Sequence, residues 1–441
     1  MKFKKPENEN YCATIVKIQN IVQFENCDNI QGTTIFGNQI IISKNTNIGD
    51  IGALFTEESQ LSETFLKENN LYREPEKNRN TKEKGYFEKN GRIKTMKFRG
   101  HQSSGLFVPL TFFSFTGFDI NQFEVGDSFD EIKGLKICNK YFVPVKQKPL
   151  PGSKKQRKRI KESKVIENQF RFHKDTLQLG KNLHMFSYDD YISVTYKMHG
   201  TSAVISKILC KKKLNWFYKL LKKLKIDIVD KKYDNLYSSR KVIKNDDMSY
   251  ENFIKKQGKL GYYNYDIWGA VNNELKDYLI DGITIYAEIV GFLPDGSYIQ
   301  KTGAGYDYGY SQGTHGIYIY RITFTNPSGD VFEFSHNQMK EWCDERGLKT
   351  VPLLYYGKVK NFIIEHNGYD KDDLLQNNLL KRAMCFLEKD CYICKNKVPA
   401  EGIVIRKETN NFEAYKLKSF RFKEQETKQF DKGESNIEDE N

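Results

Sequence analysis

Five segments between residues 190 and 420 either alternate apolar with polar residues or run on in β-branched and aromatic ones: YISVTYK (191–197), ITIYAEIVGF (283–292), GIYIYRITF (316–324), EGIVIRK (401–407) and EAYKLKS (413–419). Side chains that change face at every residue suit a strand with one side buried, and unbroken runs suit a strand covered on both. Stretches 335–346 and 371–388 between them read as helices, so this part of the chain is expected to be α+β, built on antiparallel sheets. Residues 10–145 carry shorter runs, YCATIVKIQNIVQF, TTIFGNQIIIS, IGALFTE, IKTMKFRG and GLFVPL, broken by Gly, Asn and Asp. Short strands at this spacing predict a small OB-like β-barrel, with the polar stretch 68–92 as a long loop.

The net charge of +13 is concentrated in two places. GSKKQRKRIKESK (152–164) carries seven Lys or Arg and one Glu, and KKKLNWFYKLLKKLKIDIVDKK (211–232) carries nine Lys and two Asp, so +6 and +7 account for the whole excess. A charge gathered in this way suits a grip on a polyanion, and nucleic acid is the leading partner. The first segment follows Pro149 and Pro151 without apolar periodicity, and reads equally as a solvated linker or a phosphate-binding arm. In the second, Leu214, Phe217, Leu221, Leu224 and Ile228 recur every three or four residues, which predicts an amphipathic helix docked by its apolar stripe. Its outward Lys219, Lys222 and Lys223 are then candidate phosphate contacts, as are Lys97 and Arg99 in the N-terminal part. No run approaches the ~20 apolar residues that span a bilayer, and MKFKKPENENYCATIV does not read as a signal peptide. A cytoplasmic protein without membrane association is expected, its eight cysteines reduced. Cys385, Cys391 and Cys394 contain one CxxC, which with a distant ligand such as His366 leaves structural zinc as the alternative to packing cysteines.

The chemistry gathers around YKMHGTSAVIS (196–206), where Lys197 ends a strand and Gly200 permits a tight turn. A lone KxxG is common. Here it is followed in order by YSSRKVIKN (237–245), IYAEIVG (285–291), GIYIYRI (316–322), AEGIVIRK (400–407) and AYKLKSF (414–420). This set resembles the covalent nucleotidyltransferase superfamily of ligases and capping enzymes, and most closely its RNA ligase 2-like branch, where the first motif reads KxHGT. YIQK (298–301) and SGDV (328–331) add to the match over 190–420. ENCDNIQG (25–32), NIGDIGALF (47–55) and IKTMKFRGHQSSGLFVPL (93–110) resemble the OB-like domain of a bacterial and phage group of nick-sealing RNA ligases. The expected layout is an OB-like module at 1–148, a basic linker at 149–165, a nucleotidyltransferase domain at 166–423 with the helical insertion 207–233 beside its active site, and a frayed polar tail at 424–441.

The resemblance implies an ATP-dependent RNA ligase in which Lys197 attacks ATP to form lysyl-AMP, AMP passes to an RNA 5′-phosphate, and a 3′-hydroxyl displaces it. Lys416 and Lys418 would hold and neutralise the phosphates, alternating along one strand so that both face the same way. With Arg240 they would lower the ~10.4 pKa of a free lysine toward the neutral amine that attack requires. Glu288 would bind ribose, Tyr320 or its face-mate Tyr318 would stack on adenine, Tyr196, His199 and Gly200 would line the nucleotide site, and Glu401 would help hold Mg²⁺ or Mn²⁺. The bland alternative for Glu288 and Glu401 is an ion pair with Arg240, Arg406 or Lys416. Two departures stand out: Tyr196 occupies a position that is often Glu, and the step from Lys197 to Arg240 is lengthened by the basic insertion. A DNA ligase, a capping enzyme or a silent RNA-binding protein of the same fold are the rival readings.

Overall fold

The computed structural model describes residues 2–144, 163–246, 263 and 265–434. Two five-stranded sheets carry the C-terminal domain. The first runs Leu177–Gln178, Phe412–Lys418, Gly402–Glu408, Tyr191–Lys197, Leu353–Lys358, antiparallel except for the first pair. The second runs Lys231–Ser238, Thr201–Lys211, Ile283–Gly291, His315–Thr325, Val331–Glu333, antiparallel throughout. Every residue of Ile283–Gly291 is buried, as its unbroken apolar run requires. Helices cover the outer faces: Ile267–Leu275 and His336–Asp344 pack on the second sheet, Val359–Ile364 and Leu375–Met384 on the first. Ser335 begins its helix with a reciprocal capping box to Gln338. No helix among the described residues is long and apolar enough to cross a membrane.

In the N-terminal part, Leu106–Pro109, Ile51–Phe55, Ala13–Lys17 and Ser128–Phe129 form an antiparallel sheet over a phenylalanine-rich core that includes Phe55, Phe65, Phe113, Phe123 and Phe129. The expected closed barrel is not found among the described strands. The hairpin Ile30–Ile35/Asn38–Ser43 shares no ladder with that sheet, and reaches it by packing Ile40 and Ile42 against Val16, Ile18 and Leu54. The stretch 68–92 is a loop, pinned by Tyr72 and Phe87.

Three expectations need correction or fall outside the described residues. The basic linker lies largely outside them, since 145–162 are not described. The basic insertion is a hairpin whose tip carries the helix Trp216–Lys223, and its apolar face is not docked: Trp216 is 77% exposed and Leu224 63%. Ser202 lines the cleft described below, and nine strand residues at ~3.3 Å each put the tip about 30 Å from it, not beside it. The tail at 424–441 is not wholly frayed, because the helix Phe420–Asp431 buries Phe422, Glu426, Thr427, Gln429 and Phe430. These positions form a helical stripe, which only two aromatic residues betray in the sequence.

That helix ties the two parts of the chain together. Arg92, with its side chain 1% exposed, donates to both carboxylate oxygens of Glu58 at 3.0 and 2.8 Å, to Asp431 at 3.1 Å and to the Thr427 carbonyl at 3.3 Å. Its guanidinium sits over the rings of Tyr141 and Phe430. Lys423 reaches back to Glu57 and Asn38.

Candidate active site

The chain leaves the first sheet at Lys197 and enters the second at Thr201, so Met198, His199 and Gly200 form the crossing between them. Gly200 is required there. A Cβ would lie 2.2 Å from the Ile289 carbonyl oxygen, and the amide of Gly200 donates to Glu288 at 2.9 Å. A cleft between the sheets is lined by Lys197, Ser202, Arg240, Glu288, Tyr320, Lys416 and Lys418. Gly402–Glu408 and Phe412–Lys418 form one hairpin of the first sheet, which sets Lys418 opposite Gly402, next to Glu401.

Lys197 Nζ lies 2.7 Å from Glu401 Oε1, and Lys418 Nζ lies 3.5 Å from the same oxygen while also pairing with Glu426 at 2.9 Å. Arg240 pairs with Asp175. Lys416 and Lys418 share the cleft side of their strand while Leu417 turns into the opposite core. Burial, followed by the charges of Lys418, Lys197 and Arg240, brings the Lys416 ammonium down to about 8. His199 is buried between Tyr306 and Phe422. Thr302 gives its one hydroxyl proton to Gln429 at 2.7 Å, so its oxygen accepts from His199 Nε2–H at 2.9 Å, and Nδ1 faces Glu401 Oε2 at 3.7 Å. His199 thus props the crossing through Thr302, and its Nδ1 faces the Glu401 carboxylate without a hydrogen bond to it. Glu401 Oε2 is buried and makes no hydrogen bond, which is costly for a carboxylate unless a cation meets it. Among the described residues no three His, Cys, Asp or Glu side chains are grouped to hold a metal by themselves. A divalent cation here would therefore take Glu401 and substrate phosphate oxygens, the arrangement Mg²⁺ favours.

Tyr320 lines the cleft and Tyr318 does not. The two rings share the strand face opposite Ile317 and Ile319, as the alternation implies, and the ladder bulges at Tyr320, where Tyr286 pairs with Arg321 and Ala287 with Ile319. The Tyr320 hydroxyl meets Ser202 at 3.0 Å and His173 at 2.8 Å. Tyr196 borders the cleft, but its ring packs with Cys391 and Tyr392 in the neighbouring core. Cys391 is buried there, while Cys385 is exposed beside His366 at 3.5 Å, in a different place. Lys97 and Arg99 are exposed on the hairpin Thr95–Phe98/His101–Ser104, away from the cleft. Lys223 is exposed at the insertion tip, and the side chains of Lys219 and Lys222 lie outside the described residues.

Several cleft residues were missed in the sequence: His173 and Asp175 from the strand approach, Glu426 from the tail, and Tyr11, Glu58, Lys140 and Tyr141 from the N-terminal part. None lies in a motif. Only the fold brings them within reach.

Residues 190–423 match the RNA ligase family, more than half of the chain, and the chain belongs to that family. Among solved structures it is similar to Naegleria gruberi RNA ligase: one point mutant with AMP and Mn gives a TM-score of 0.55 at 16% identity over 93% of this chain and 98% of that one. A mutant with ATP and Mn gives 0.55, at 16% identity over 93% and 97% of the two chains. The same ligase with PPi gives 0.54, at 16% identity over 93% and 97%. At that identity these likenesses speak for the fold, which they extend over both parts of the chain. No curated protein matches the sequence.

Proposed function

We propose that this RNA ligase uses ATP and a divalent cation to join RNA 3′-hydroxyl and 5′-phosphate ends through lysyl-AMP on Lys197, and that it acts on nicks or breaks in RNA-containing duplex. The observation that carries the reading is the meeting of Lys197, Glu401, Lys416 and Lys418 in one cleft with Arg240, Glu288 and Tyr320. The Naegleria ligase structures with AMP, ATP, PPi and Mn support the choice of nucleotide and metal. KMHGT, where DNA ligases and capping enzymes have KxDG, favours the RNA ligase 2-like branch.

In this scheme Tyr320 packs against the base, Glu288 holds the ribose while bracing the Gly200 amide, and Arg240, Lys416 and Lys418 receive the phosphates. Lys197 must be neutral to attack. Its pairing with Glu401 favours the ammonium. A cation on the Glu401 carboxylate and the phosphates would loosen that pairing and shield the charge that develops as pyrophosphate leaves. Lys416 and Lys418 then leave the amine in a field that disfavours its protonation. The N-terminal part, with Lys97 and Arg99 outermost, would hold the duplex.

Incubation with α-labelled ATP and Mg²⁺, then with defined RNA and DNA nicks, tests the reading. Lys197→Ala should abolish covalent label yet retain some sealing of pre-adenylylated RNA, whereas Glu401→Ala should impair both. Undiminished labelling of Lys197→Ala, or equal sealing of an all-DNA nick, would overturn it.

A further inference from the structure

The tip of the basic hairpin has no role in the chemistry above. Its helix Trp216–Lys223 divides sharply by sequence: at 100° per residue Trp216, Phe217, Leu220, Leu221 and Leu224 fall within one arc, and Lys219, Lys222 and Lys223 fall on the other side. A left-handed Lys225 and a bond from Ile226 N to the Leu221 carbonyl close the helix, and the chain continues through Ile226 and Val229. Trp216, Phe217, Leu220, Leu224, Ile226 and Val229 are 77, 49, 46, 63, 48 and 79% exposed. None belongs to a core cluster of the described residues. Lys211, Lys212, Lys225, Lys231 and Lys232 flank the helix along the chain and are exposed.

We infer that residues 212–230 are a peripheral membrane element that seats the ligase on an anionic lipid surface. The charge names the occupant. A net +7 over 211–232 repels the same tip of a second copy and matches acidic headgroups. RNA would meet the lysines and find Trp216, Phe217 and Tyr218 to stack on, but it would leave the exposed Leu220, Leu224, Ile226 and Val229 uncovered. An acyl boundary accepts all of them, with Trp216 and Tyr218 at headgroup level. The helix is far too short to span a bilayer and suits lying in its surface. The cleft stays about 30 Å away along the hairpin, open to substrate. The sequence alone argued against membrane association because it predicted this stripe to be docked on protein.

Trp216 is the reporter, since Trp268 and Trp342 are buried. The full chain is titrated with vesicles of phosphatidylcholine alone or with about a third phosphatidylserine. A blue shift of Trp216 emission and co-sedimentation with the anionic vesicles only are expected. Leu220→Glu/Leu224→Glu should lose at least tenfold in vesicle binding while self-adenylylation is unchanged. Lys211→Gln/Lys212→Gln/Lys225→Gln should lose on the order of 100-fold, from about 1 kcal/mol per lysine near the surface. Equal binding to neutral vesicles, a Trp216 response to duplex RNA but not to vesicles, concentration-dependent dimerisation through the tip without vesicle binding, or no response at all would each overturn the proposal. Sealing activity is read separately, so its loss would bear on the catalytic assignment and not on this one.

Discussion

Replacing Arg92 with Met should make the stability of this chain depend strongly on pH, because it strands a buried carboxylate. Glu58 is 7% exposed, and burial followed by the nearby Glu426 and Glu57 pushes its carboxyl up to about 7 even with Arg92 beside it. A rise from 4.5 to about 7, at about 1.4 kcal/mol per unit, amounts to roughly 3 kcal/mol. Since the folded value is the higher one, this contribution to stability is fully present below the unfolded value and is lost as pH rises through about 7. Without Arg92 the folded value climbs further, so the carboxyl stays protonated at a pH where the wild-type one has ionised. Met keeps much of the packing between Tyr141 and Phe430. The variant should therefore lose about 1 kcal/mol at pH 5, where Glu58 is protonated in both proteins and hydrogen bonds alone are missing, and about 2 to 2.5 kcal/mol at pH 8, one unit above the wild-type value of about 7, at about 1.4 kcal/mol per unit. Urea unfolding of both proteins at the two pH values measures the gap. An equal loss at pH 5 and pH 8 would refute the electrostatic account and leave Arg92 as packing material.

Gly200→Ala should abolish self-adenylylation, because a Cβ 2.2 Å from the Ile289 carbonyl must push the crossing away from Glu288; adenylylation assay and thermal melting check it. Lys416, at about 8, should give the self-adenylylation rate at low ATP a descending limb near pH 8, since the phosphates lose a cation as pH rises, and Lys416→Arg should move that limb upward in a pH–rate profile. Lys97→Ala/Arg99→Ala should weaken nicked-duplex binding and flatten its salt dependence by roughly two units, at about 0.9 per contact in B-like duplex, with label transfer from ATP unchanged.

The parts of this molecule legible in the sequence were those whose signal is local. Strands such as 191–197 and 413–419 announced themselves by side-chain alternation. The cleft residues carried by motifs were legible for the same reason. What failed depended on distant partners. The amphipathic pattern at 214–228 was real, but periodicity says that a face is apolar and not what covers it. The stripe in Phe420–Asp431 was hidden because its buried Glu426, Thr427 and Gln429 are polar and find partners in Lys418, the Glu58 and Arg92 pair, and Thr302. Tyr318 and Tyr320 share a face, as the alternation implied, but only Tyr320 reaches the cleft.

The latch on Arg92 also sets a clock on synthesis. Asp431 is separated from Arg92 by 339 residues, which a ribosome adding about 5 to 20 residues per second takes roughly 17 to 70 s to cover. For that interval Asp431 and Phe430, which cover one side of the Arg92 guanidinium in the folded chain, have not yet been made. Lys197 emerges about a third of the way through it, while Glu401, Lys416 and Lys418 come close to its end. A chain ended before residue 400 thus carries the KMHGT segment without Glu401, Lys416 and Lys418, three of the residues that line or meet the cleft beside Lys197.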